Sequence, residues 1–411
     1  MTRFLIYLFP AMMDMVIGSI LFVCTVRMAE SGASAMAVTA VMAVSSLLYM
    51  VSAQVVGRLV TDRNAAWILI GASLSMMLLA AAFVLIPGLL IMYLLVAVQA
   101  VSTGFFFTPF QVFMKAVEQG RTHGIVRPTA FYTFSWSAGM ACGPFAAGYL
   151  WVMAGWQWCH AVNAGLALAT ALGIYCLKHH AHERPAPEVS ADKEGKDIAS
   201  PYAGMPDLVW LSWTAGGVGC VTWFLLRSLF PATGVALNIS KPGQGTVLAL
   251  VLGMQAITGL SLFRSRTWMY RAAPVAAFSV FGIAALILFG CVQSTAGFYG
   301  AAICFGVYSG SFFFYFVFHA LSHPRRSARY VAINETIVGL AGILGPFVGG
   351  FLADRFSFSV SYFVAAGMIV CATVLQVTVH GRQRHLIPGI RLLRQQGDSQ
   401  ATPAASPRRA P

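Results

Sequence analysis

The chain has 411 residues, 58% of them hydrophobic and only 9% charged, with a formal net charge of +13 and a mean hydropathy of +0.75. That balance excludes an ordinary soluble domain and describes a polytopic membrane protein. Apolar runs of the ~20 residues needed to cross a bilayer recur along nearly the whole length, and neither long polar stretch is large enough for a catalytic domain.

Twelve spans are predicted, at 4–27, 35–57, 66–86, 89–112, 129–153, 158–177, 208–230, 243–263, 271–292, 295–320, 330–352 and 358–379. The first resembles a signal sequence, but its apolar part is long and no small-x-small cleavage site stands out, so it reads as a span. With a cytoplasmic N-terminus, 22 basic residues fall in inner segments and four elsewhere, namely Arg27, Arg227, Lys241 and Arg355. Both termini are therefore expected in the cytoplasm, in a multi-pass protein of a bacterial-type inner membrane. The basic surplus is accounted for by topology and anionic headgroups, with no nucleic-acid partner.

The stretch 178–207 reads as a cytoplasmic linker in which His179, His180 and His182 are solvated and hold no metal. Residues 381–411 read as a disordered cytoplasmic tail. The eight cysteines, Cys24, Cys142, Cys159, Cys176, Cys220, Cys291, Cys304 and Cys371, lie in or at the ends of apolar segments without a Cys-x-x-Cys pair. They read as small packing residues.

A repeat divides the chain. Gly143, Pro144, Phe145, Gly148 and Leu150 of the fifth span recur 202 residues later as Gly345, Pro346, Phe347, Gly350 and Leu352 of the eleventh. Arg127 and Arg329 show the same separation, and Arg27 and Arg227 end spans one and seven. Six plus six spans starting on the same side give parallel repeats about an axis along the membrane normal. The expected fold class is an all-α polytopic membrane protein with 12 transmembrane helices in two six-helix bundles, 1–177 and 208–380, related by pseudo-twofold symmetry.

With the fifth-span Gly-x-x-x-Gly-Pro-x-x-x-Gly and the stretch from Gly57 to Arg63, this arrangement resembles the major facilitator superfamily over residues 1–380. The resemblance implies a gating loop between spans two and three, with Gly57, Asp62 and Arg63 as its candidates at a spacing one residue longer than Gly-x-x-x-Asp-Arg. A second match, Gly350 to Arg355, ends span eleven on the opposite face and reads as a glycine-rich helix end followed by a capping turn. The fourth-span arginine of proton-coupled exporters is replaced by Ala100, whereas the fifth-span motif resembles that of antiporters.

Physical reading of the spans supplies the remaining candidates. Gly139, Gly143 and Gly148 with Pro144, and Gly345 and Gly350 with Pro346, suit close helix contact at an interface that rocks during transport. An ionisable group at mid-bilayer costs several kcal/mol unless it faces water or a partner. Asp14, about ten residues into span one, is thus a proton-coupling or cation-contact candidate, or a carboxylic acid bonded between helices. Glu335 with His319 would form a proton relay, an inner latch or a local helix contact. His160 reads as a membrane-interface residue. Arg27 and Arg227 at matching outer ends would attract an anion or snorkel to headgroups. Cavity candidates from spans two, four, five, seven, eight, ten and eleven are Tyr49, Gln99, Tyr132, Ser135, Trp136, Trp213, Thr214, Gln255, Tyr308, Tyr315 and Asn334. Their aromatic character favours a partly apolar solute over a simple sugar.

The expected function is secondary active transport of a small solute by alternating access, coupled to protons and directed to export, in a protein that works as a monomer. No enzyme constellation, metal site, cofactor or Walker-type loop is predicted. The alternatives are a membrane-embedded sensor or assembly factor on the same fold, an uptake symporter, or an anion exchanger.

Overall fold

The computed structural model describes residues 5–85, 88–118, 126–182, 208–262, 267–322 and 326–382. The expected linker from 183 onward and the tail after 382 lie outside the described residues. Each predicted span is one helix: α1 Leu8–Glu30, α2 Ala35–Leu59, α3 Ala65–Leu85, α4 Leu89–Glu118, α5 Val126–Ala154, α6 Trp156–His182, α7 Val209–Ala236, α8 Lys241–Leu262, α9 Ala272–Cys291, α10 Thr295–Ser322, α11 Ser327–Arg355 and α12 Phe358–Arg382. A 3-10 turn, Thr267–Tyr270, precedes α9. Helices are the natural solution here because every backbone group must be satisfied within a segment that lipid surrounds.

α1–α6 and α7–α12 form two bundles in the pseudo-symmetric twelve-helix arrangement. α5 packs on α1 in its own bundle and on α8 in the other, and α11 packs on α7 and on α2 in the same way. The register of this symmetry is set by close contacts. A Cβ at Gly143 would lie 2.8 Å from the Ser19 nitrogen, and one at Gly345 would lie 3.0 Å from the Leu225 nitrogen. The α1–α2 turn is made by Gly32 at φ +80 and the α7–α8 turn by Asn238 at φ 53, left-handed positions that glycine and asparagine tolerate best. Ser19 with Leu225 and Gly32 with Asn238 are each 206 apart.

That register changes one expectation. α7 does not stop at 230: Pro231 lies inside it, and the helix runs on to Ala236. Proline removes one amide donor, at a cost that surrounding packing absorbs. Arg227 is therefore nine residues short of its helix end, against three for Arg27. At a separation of 206, Arg227 corresponds to Leu21 and Arg27 to Thr233. The two arginines are not symmetry mates.

Contacts between the bundles gather at the end that carries the α1–α2 and α7–α8 turns. There a Cβ on Gly148 would lie 2.5 Å from the Lys241 carbonyl oxygen, and one on Gly350 would lie 2.7 Å from the Met36 Cα. Lys241 pairs with Glu30 at 2.6 Å. This end is shut; the opposite end carries the α2–α3 and α8–α9 connections.

Candidate functional site

Two buried charges on facing helices of opposite bundles, Asp14 and Arg227, lie within electrostatic reach of each other. Asp14 on α1 is only 5% exposed and Arg227 on α7 only 8%. The two attract each other electrostatically, and no direct ion pair joins them among the described residues. The Arg227 guanidinium sits 4.3 Å above the Trp223 ring. Trp223 Nε1 in turn donates to Gln255 Oε1 of α8 at 2.8 Å. A cation this far from water is tolerated because an aromatic face and an opposite charge replace part of its hydration.

Glu335 on α11 is the third charge, and its side chain is exposed although it lies in mid-helix. It shares an electrostatic field with Tyr49 of α2 and Tyr132 of α5, both of which also feel Asp14. Tyr132 has a side-chain hydrogen bond with Gln111 of α4 and stacks on Phe110 at 5.6 Å. Tyr49 is 38% exposed despite this crowd of neighbours. Next to Glu335, Asn334 accepts from Trp213 Nε1 at 2.8 Å and donates to the Phe316 carbonyl at 3.2 Å. Asp14, Tyr49 and Tyr132 of the first bundle and Arg227 and Glu335 of the second, linked through these neighbours, thus make the candidate site between the bundles.

The other candidates lie elsewhere. His319 contacts Tyr315 and Tyr270, with ring centroids at 4.5 and 5.2 Å, inside the second bundle. No ion pair or hydrogen bond joins it to Glu335 among the described residues, so the pair expected from the sequence is not formed. Tyr308 and Tyr315 line a small cavity of about 20 Å³ within the second bundle, room for little more than one water molecule. Ser135 donates to the Tyr7 carbonyl, and Thr214 to the Trp210 carbonyl at 3.1 Å. Trp136 packs in the first bundle's core. Gln99 is fully buried, and neither amide atom has a hydrogen-bond partner among the described residues. Arg27 lies 3.6 Å over the Trp156 ring at the shut end. His160, read as interfacial, is fully buried and stacks on Phe83 at 5.1 Å.

Gly57, Asp62 and Arg63 are exposed at the end opposite the shut one. The α2–α3 turn is built instead by Thr61 and Asn64: the Thr61 amide donates to Asn64 Oδ1 at 2.7 Å, and Asn64 Nδ2 to the Leu59 carbonyl at 2.9 Å. Sequence reasoning missed Gln111, Trp223 and Asp354. The Gly350-x-x-x-Asp354-Arg355 pattern was the available signal for Asp354, whose role as a contact between bundles depends on where α2 begins. No grouping of three His, Cys, Asp or Glu side chains able to hold a metal occurs among the described residues.

A sequence model described as Major Facilitator Superfamily matches residues 4–323. No curated protein matches the chain. Among solved structures, a bacterial homolog to the human lysosomal transporter Spinster, inward-facing and occupied, aligns with a TM-score of 0.68 at 14% identity, covering 93% of this chain and 96% of the other. The same homolog in its inward-facing, unoccupied conformation gives 0.66 at 12% identity, covering 98% of both chains. The nucleoside transporter NupG gives 0.64 at 12% identity, covering 92% of this chain and 98% of the other. At these identities the likeness is one of fold.

Proposed function

The chain belongs to the Major Facilitator Superfamily, and from that membership we propose that it is a proton-coupled exporter of a small, partly apolar organic solute with a cationic centre. Secondary transport on this fold follows from the family; coupling, direction and solute class are our reading. The observation that carries it is a buried acid and a buried base on facing helices of opposite bundles, Asp14 on α1 and Arg227 on α7, with Tyr49 within reach of both Asp14 and a second acid, Glu335.

The excess of basic residues in the inner segments directs the end opposite the shut one to the cytoplasm, and we read the structure as an inward-facing state opening there. The Spinster homolog's two inward-facing structures are compatible with that orientation. A solute entering from the cytoplasm meets Glu335 first, flanked by Tyr49 and Tyr132, groups suited to a cation that also carries apolar surface. Deeper in, Asp14 is held by the field of Arg227. Protonation of Asp14 removes an attraction that spans the two bundles, which changes their preferred arrangement. In the outward-opening step a proton on a carboxylate and a cation beside it exclude each other, and competition of that kind yields exchange.

The deciding experiment is flux in proteoliposomes under an imposed proton gradient, with a panel of organic cations, neutral solutes and anions. Gradient-driven movement of cations opposite to protons supports the reading. Movement of anions alone, or with protons in the same direction, overturns solute class or direction respectively. Ligand binding without flux would make the protein a sensor on a transporter fold.

A further inference from the structure

The first turn of α2 has its free amides satisfied from two places. Ser34 Oγ accepts from the Ala37 amide at 3.2 Å, an ordinary local cap. The Ala35 and Met36 amides donate instead to the two carboxylate oxygens of Asp354, at 2.8 and 3.0 Å. Asp354 stands in the last turn of α11, in the other bundle. A helix start presents unpaired N–H groups and partial positive charge, so a carboxylate delivered across the interface caps it in charge and in hydrogen bonding.

The neighbourhood makes this contact specific. Gly350, one turn before Asp354, brings the α11 backbone against Met36 and Thr39. At the symmetry-related contact of α5 with α8, the position 202 residues before Asp354 is Val152, which is 65% exposed and has no carboxylate to offer. That side carries the Glu30–Lys241 pair, with side chains 40% and 27% exposed, and exposed pairs contribute little. Asp354 itself is exposed while Ala35 is buried, so water can replace both partners when they separate.

We propose that Asp354 is the latch of the shut end: it grips the α2 N-terminus while the central site is open at the other end, and releases it when the bundles rock. The proposal rests on alternating access and is independent of which residue carries the proton.

The test is hydrogen exchange by mass spectrometry on the full chain in lipid nanodiscs, with no transport required. In Asp354→Asn, exchange at residues 34–40 rises about fivefold, the order expected for losing a charged cap. Exchange at the open-end starts of α7 and α11, residues 208–213 and 329–334, falls in the same variant, because a population that opens one end closes the other. Glu30→Gln stays within twofold at all three segments. No change in either Asp354→Asn or Asp354→Ala overturns the latch. A rise at both ends, or loss of the folded protein in both variants, makes Asp354 a structural cap and overturns it equally.

Discussion

Gly143 and Gly345 occupy the same place in the two bundles, each with its bare Cα against the backbone of the bundle's own first helix. The Gly143 neighbour is the Met15 carbonyl of α1, and the Gly345 neighbour is the Val221 carbonyl of α7. Gly148 and Gly350, one or two turns further on, face the other bundle at Lys241 and Met36. The glycine-proline repeat thus serves two contacts at once, one within a bundle and one between bundles.

That division makes the glycines separable. Gly143→Val and Gly345→Val force methyl groups into backbone that cannot yield, and each should destabilise the protein by about 1–3 kcal/mol. Gly148→Val should leave each bundle intact and weaken only the shut end, so that melting in detergent changes less while accessibility of the shut end to water-soluble thiol reagents increases. Equal melting losses at positions 143 and 148 would contradict the assignment.

Asp14 and Arg227 are both buried, so removing one deprives the other of its attraction across the interface and leaves Arg227 only the Trp223 ring. Asp14→Asn or Arg227→Met alone should cost on the order of 3 kcal/mol. The double variant should recover at least half of the loss, in thermal melts of the purified protein. Asp14→Asn should also abolish dependence of flux on the proton gradient while solute exchange down its own gradient persists.

Glu335 is exposed, so Glu335→Gln should leave melting unchanged within about 0.5 kcal/mol. If the carboxylate meets a cationic centre, KM for that solute should rise about tenfold, the scale of one charge-assisted contact, and a neutral analogue should be unaffected. A parallel loss for both solutes would place Glu335 in coupling instead of recognition.

The Trp223–Gln255 bond supports Arg227 from below. Gln255→Leu orphans the indole N–H and should cost about 1–3 kcal/mol. Combining it with Trp223→Phe should restore most of that stability, but lower the affinity for solute through the altered support beneath the guanidinium. A double-mutant cycle on melting and on flux separates the two effects.

Much of this architecture was legible in the chain. Twelve apolar runs of bilayer length give twelve helices because lipid leaves the backbone no other partners. The repeat marked α5 and α11 because only glycine permits the approach they make. Asp14 and Glu335 stood out because charges inside spans are rare. Other features were misplaced for physical reasons. Arg27 and Arg227 matched in sequence, but Pro231 does not end α7, and the first two helices of each bundle follow a separation of 206 where α5 and α11 follow 202. Arg27 and Arg227 are 200 apart, so in the 206 register Arg227 lies six residues, more than one and a half helical turns, before the position equivalent to Arg27.

Composition and periodicity by themselves determined the fold class, the two-bundle repeat and the residues able to carry chemistry, since these depend on local hydropathy and on side-chain size at helical spacing. Tertiary structure alone decided which candidates meet. Successive residues of a helix point about 100° apart, so a helix's position in the sequence says little about which neighbour it faces. Docking turned His319 toward Tyr315 instead of Glu335, set Arg227 in the field of Asp14, and brought Asp354 to the start of a helix 319 residues away.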